Sequence, residues 1–202
     1  MKLISRLLMA FGVIGVLLCI FLLVGCVLYS LPPPLKDQMK LVSVSAEAVK
    51  SYDKKIDAFK LDAEKAALAK ETKEVSFTIT EEEINSKLIE ILAEGDLPIK
   101  EAFVNFTDNR IWVYTELTVV AIPTKVVMIG DASILKNQLQ SNVDTLQLGR
   151  LPLPSSTIEK ISSLINVLIK MDSPFDNLPI KITSIGINGK AFTLKGLTIP
   201  KS

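Results

Sequence analysis

No histidine occurs in this 202-residue chain, and that absence closes off more chemistry than any motif opens. Ser-His-Asp and Cys-His nucleophilic catalysis both need an imidazole, as do most zinc and transition-metal sites. Cysteine is nearly as scarce. Cys19 and Cys26 are the only two, and both fall within one apolar N-terminal stretch, so the remainder can hold no disulfide. An excess of one charge is also lacking, since 23 Lys and Arg face 22 Asp and Glu. Setting aside Lys2 and Arg6 leaves 21 against 22 over residues 32–202, which gives no broad attraction to nucleic acid or anionic headgroups. A carboxylate-only site or a Ser-Lys pair survives these exclusions, but no spacing supports either. Glu81-Glu82-Glu83 offers three adjacent carboxylates, yet such a run at a helix start complements the helix dipole. Asn105-Phe106-Thr107 has the form of a glycosylation sequon, a pattern too common to carry weight. The expectation is a protein with no cofactor, no metal and no catalytic residues, hence not an enzyme.

What the chain does have is a long uncharged run. Leu7 to Leu31 contains 25 residues, 16 of them Leu, Ile, Val or Phe, directly behind Lys2 and Arg6. At ~1.5 Å per helical residue it would reach across a ~30 Å hydrocarbon core with some tilt. Insertion would be favoured by roughly 5 to 10 kcal/mol as an upper bound. Pro32-Pro33-Pro34 then stops the helix. Three readings compete. A cleaved signal peptide calls for a shorter apolar region. Leu23-Val24-Gly25-Cys26 resembles a lipobox, which would make Cys26 the lipidated residue, but Val27 to Leu31 stays apolar where lipoproteins turn polar. The leading reading is an uncleaved single-pass transmembrane helix, with the N-terminus inside and the rest outside a bacterial cell membrane.

Beyond it the sequence divides into a helical stem at 35–73 and a domain at 74–202, large enough together for one real core. The stem carries Val42, Val49, Tyr52, Ile56, Phe59, Ala63 and Ala66 at heptad spacing, with Ser45 filling a gap. An amphipathic helix on the domain or a stalk is the first reading, and self-association into a homo-oligomer through the stripe is the second. Val75-Ser76-Phe77-Thr78-Ile79 alternates as a strand. Thr80 and Glu83 then form a capping box that opens a helix with Ile84, Leu88, Ile91 and Leu92 on one face. Residues 99–106 and 111–121 form a hairpin through Thr107-Asp108-Asn109-Arg110. Its second arm is apolar on both sides, with Ile111, Val113, Leu117, Val119 and Ala121 opposite Trp112, Tyr114 and Val120, so something must cover or line both surfaces.

Residues 125–148 continue as strand with a break at Lys136-Asn137. Gly149-Arg150-Leu151-Pro152-Leu153-Pro154 is an extended connector. A second helix follows with Ile158, Ile161, Leu164, Ile165, Leu168 and Ile169 on a wide apolar face. Two last strands, about 179–187 and 191–199, join through Asn188-Gly189. Their apolar phase slips at Ser184 and again near Gly196, nearly opposite each other, which predicts paired bulges and a strongly curved sheet.

This order of elements, with Thr-Glu-Glu-Glu-Ile-Asn at 80–85 and Gly-Arg-Leu-Pro-Leu-Pro at 149–154, resembles the YpmS-like family of bacterial single-pass proteins over roughly residues 74–199. It is also similar to small exported domains near the tubular lipid-binding (TULIP) superfamily. The resemblance implies an α+β fold, a long, strongly curved antiparallel sheet wrapped around amphipathic helices, with an apolar channel for lipid acyl chains. Candidate lining residues are Ile84, Leu88, Ile91, Val113, Val119, Ile161, Ile165 and Leu168. The expected function is binding of membrane lipid or another long apolar ligand, in lipid transfer or envelope assembly, by a membrane-anchored extracytoplasmic protein. The alternative is a non-catalytic interaction module that oligomerises or recruits envelope partners through its stem. Substituting Trp for Leu88 and Leu168 would separate an open channel from a packed core.

Overall fold

Eight strands are divided between two antiparallel sheets among the described residues, where one long sheet was expected. The computed structural model describes residues 20, 23–94, 99–119, 122–171, 175 and 178–200, excepting the side chains at 94, 119, 122 and 168–171. In chain order come a helix α1 at residues 23–30, a 3-10 helix Pro34–Gln38, α2 (Ala46–Leu68), β1 (Glu74–Thr80) and α3 (Glu81–Glu94). Then follow β2 (Ile99–Thr107), β3 (Arg110–Val119), β4 (Ile122–Leu135), β5 (Gln138–Leu148), the two-residue β6 (Leu151–Pro152), α4 (Ser155–Met171), β7 (Ile180–Asn188) and β8 (Ala191–Thr198). The small sheet runs β1-β8-β7 and the large one β2-β3-β4-β5-β6. The fold is α+β, and neither sheet closes on itself.

The single-pass anchor expected from Leu7–Leu31 is corrected here, together with the bacterial cell-membrane placement that rested on it. Among the described residues no helix is long and apolar enough to cross a membrane. Residues 1–19, 21 and 22 lie outside the described residues. What is described of the run is tied to the sheet. The Arg150 amide donates to the Leu28 carbonyl at 2.8 Å, and the Tyr29 and Thr124 hydroxyls bond each other. A Cβ on Gly149 would run into the carbonyls of Leu28 and Tyr29, so the chain passes there only because glycine stands at that position. Pro33 is fully buried, between an exposed Pro32 and an exposed Pro34. Cys26, the lipidation candidate, lies within α1 as an exposed free thiol.

The expected 35–72 helix is shorter, because its first turn is capped late. Ser45 takes an extended backbone and accepts from the Ala48 amide at 3.1 Å, so it is an N-cap and not a filler in the heptad stripe. From there α2 lies on the small sheet. Its Ile56, Phe59 and Ala63 bury against Val75, Phe77 and Ile79 of β1, Ile180 and Ile182 of β7 and Leu194 of β8. The Phe59 and Phe77 rings sit 5.8 Å apart, and Tyr52 meets Phe77 edge-on. The opposite face of β1, at Glu74, Ser76 and Thr78, is exposed.

Local chemistry sets the turns. Asp108-Asn109 and Lys136-Asn137 each place two consecutive residues at positive φ, between 52° and 66°, the signature of a tight primed turn. The last hairpin turns at Gly189-Lys190, one residue later than expected, with Gly189 at φ 58°. Of the two slips expected there, one is a bulge. Ile182 pairs with Gly196 and Ser184 with Lys195, leaving Thr183 extra, whereas β1 pairs with β8 in unbroken register. A second bulge leaves Asp144 extra in β5 beside Gly130. A Cβ on Gly130 would stand 2.5 Å from the Asn142 carbonyl oxygen, so glycine permits the close crossing at that kink.

Asparagine side chains seal exposed strand edges by imitating a peptide group. Asn85 on α3 donates to the carbonyl of Val104 and accepts from its amide, both at 2.7 Å, while also donating to the Glu81 carbonyl. Glu81, one turn earlier, accepts from the Phe106 amide at 2.5 Å. This pair, four residues apart, fastens α3 to the outer edge of β2. At the far edge of the large sheet, Asn166 on α4 does the same to the Ser141 amide and carbonyl, and Ser162 accepts from the Val143 amide. Asn137, in the β4–β5 turn, bonds the Ile182 amide at 2.6 Å and so links the large sheet to β7.

Candidate functional site

Between the two sheets lies an apolar cavity of about 360 Å³. Strand pleat decides what faces it. On the large sheet Val104 and Phe106 of β2 pair with Val113 and Ile111 of β3, and these four share a face with Met128, Gly130 and Ala132 of β4 and Leu139, Ser141 and Val143 of β5. Phe77 and Ile79 of β1 and Phe192 of β8 close it from the small sheet. Tyr52 of α2, Ile84 of α3, Ile165 of α4 and Phe175 complete the wall. The alternate residues of the large sheet bury elsewhere. Phe103, Tyr114, Val127 and Ile129 form a separate cluster on its other face, under Leu35, Met39 and Trp112. Both surfaces of β3 are therefore occupied, one by a packed strap and the other by space.

The cavity is half open to solvent, and its volume is more than twice the ~150 Å³ of an enclosed apolar void that takes up benzene. It also falls within the range of roughly 300 to 1,000 Å³ typical of small-molecule pockets. Its wall holds no Lys or Arg among the described residues. Asp131 and Gln140 contribute to the wall, but the pleat turns their side chains toward the Val127–Ile129 face. Burial pushes the Tyr52 hydroxyl above its ordinary pKa, partly opposed by the nearby Lys87 ammonium, so this phenol is neutral. Ser141 is the small polar side chain on the inward pleat, and its hydroxyl has no hydrogen-bond partner among the described residues.

Three of the eight candidate residues, Ile84, Val113 and Ile165, line the cavity. Leu88 and Ile91 do not. Glu81 and Asn85 dock α3 across the edge of β2, so only its first turn reaches inward, and Ile91 is left 47% exposed. Ile161 packs instead with Ile158, Val143 and Leu146 under α4. The side chains of Val119 and Leu168 lie outside the described residues. The residues missed, among them Phe106, Ile111, Met128, Ala132 and Leu139, follow from Val113 once strand register is known. The sequence carried the parity of each strand but not which strands paired.

The helix start at 80–85 combines polar roles around this site. The Glu83 amide donates to the Thr80 hydroxyl at 3.2 Å and the Thr80 amide to the Glu83 carboxylate at 2.9 Å, a complete capping box. Glu83 also accepts from Ser51 and pairs with Lys55 at 2.7 Å, which ties α3 to α2. Burial raises the Glu83 pKa, but Lys55, Ser51 and the Thr80 amide outweigh it and hold the carboxyl below the ordinary glutamate range. None of these carboxylates faces the cavity wall. No protein-family model, curated protein or solved structure matches the chain.

Proposed function

We propose that the protein binds a long apolar molecule, such as a lipid acyl chain, in the space between its two sheets, without a covalent step. The observation that carries this is the cavity itself: about 360 Å³ lined almost wholly by Ile, Val, Leu, Met and Phe side chains where a close-packed core would leave only small voids. Filling it would return roughly 0.8 kcal/mol for each methylene removed from water. The resemblance to tubular lipid-binding proteins points the same way. On that reading the bulges at Asp144 and Thr183, with the close crossing at Gly130, bend the strands around the ligand. The ligand would be moved or presented by the protein, and no group on the cavity wall is needed as an acid, base or nucleophile. The stem alternative has less behind it, because Ile56, Phe59 and Ala63 of the heptad stripe are spent in the core.

Ala132→Phe tests the reading by filling the space from one wall. Native mass spectrometry of the protein purified without detergent should show co-purifying apolar ligand in the parent chain and none in the variant. The variant should keep its thermal midpoint, because the ring enters empty space. A loss of about 1 to 3 kcal/mol, the usual result of overpacking, together with a bare parent protein, would sink the proposal.

A further inference from the structure

Resting on that binding reading, we infer that the cavity selects an uncharged, single-chain ligand, a long-chain alcohol or its like, over a fatty-acid anion of the same length. Three observations converge. The first is electrostatic. No cationic side chain contributes to the wall among the described residues, and Tyr52 is neutral there. A carboxylate drawn into this space would lose its hydration and gain at most the Ser141 hydroxyl, with no cation to offset its charge, a cost far larger than one methylene returns. Asp131, the one ionisable carboxyl whose residue touches the wall, has the wrong sign for an anion and by the pleat faces away.

The second observation is the inward hydroxyl. Ser141 lies on the cavity-facing pleat between Leu139 and Val143, opposite Ala132. Its backbone amide and carbonyl are taken by Asn166, which fixes the strand there, and its side-chain hydroxyl has no hydrogen-bond partner among the described residues. A neutral hydroxyl on the ligand would meet a group able to donate or accept. The third is size. At about 360 Å³ the space lies near the lower end of the roughly 300 to 1,000 Å³ typical of small-molecule pockets. That size suits one chain of moderate length.

Displacement of Nile red from the full chain by a series of straight-chain probes provides the test. For 1-octanol, 1-decanol and 1-dodecanol the affinity should climb about fourfold per methylene, then level off by 1-hexadecanol as added carbons stay outside. Dodecanoate at pH 8 should bind about a hundredfold more weakly than 1-dodecanol, and should recover as the pH falls toward the probe's own pKa. Ser141→Val should weaken 1-dodecanol about fivefold while leaving dodecane unchanged, the effect of one lost hydrogen bond. Dodecanoate binding at pH 8 as tightly as 1-dodecanol would overturn the charge selection. An undiminished climb through 1-hexadecanol would overturn the size limit. If neither the dye nor any alcohol binds, the cavity reading itself fails, an outcome distinct from the other two.

Discussion

Glu83 carries charge, cap and ion pair at once, and its protonation should be felt in stability. Its carboxyl pKa is lowered in the folded protein, so folding favours the ionised form. That contribution is complete above the unfolded glutamate pKa of about 4.3 and disappears as the pH falls through the lower folded value. Glu83→Gln keeps the capping geometry and loses the charge facing the half-exposed Lys55. The variant should be about 0.5 to 1 kcal/mol less stable at pH 7, and the difference should shrink as the pH falls below the ordinary glutamate range in urea titrations at each pH. Asn85 should matter more. It is 1% exposed, and Asn85→Ala would leave both the amide and the carbonyl of Val104 without the partner they have. Two buried backbone groups without partners predict a loss of about 3 to 4 kcal/mol by urea denaturation. A loss below 1 kcal/mol would mean that β2 finds another edge partner.

At the scale of elements, the two helices that flank the large sheet hold it by polar side chains one turn apart, and this explains both what was readable and what was not. The capping box at Thr80 and Glu83 and the primed turns are local, decided within four residues, so the sequence displayed them. Asn85 and Glu81 act on a strand some twenty residues away, and nothing near them in the chain announces it. Leu88 and Ile91 share a helical face with Ile84, yet only the docking angle decides which of the three reaches the cavity. The α2 stripe was visible as a stripe, while its partner strands β1, β7 and β8 were not. Along α4, Ile158 and Ile161 pack inward, while Leu164 and Val167 are exposed. Its grip on β5 rests on Ser162 and Asn166. Replacing both with Ala should speed hydrogen exchange of the Ser141 and Val143 amides by at least about tenfold, with Val127 in the middle of the large sheet unchanged. Equal exchange in parent and variant would show that apolar packing alone holds the helix.

For the whole molecule, division of the strands between two sheets is the feature no local pattern foretold. Parity along β3 showed that both its faces were in demand, but the register that groups Val113 with Phe106, Met128 and Val143 is a property of the assembled sheet. The sheets face one another across a half-open gap, and whatever part of that gap excludes water is volume that unfolding removes. Hydrostatic pressure acts on that difference directly. The ligand-free protein should therefore unfold under compression with a volume decrease within the ~20 to 100 mL/mol range, a change followed by the fluorescence of the lone tryptophan, Trp112. Occupied by a dodecanol-sized guest, the same fold should become much less compressible, and its pressure midpoint should rise.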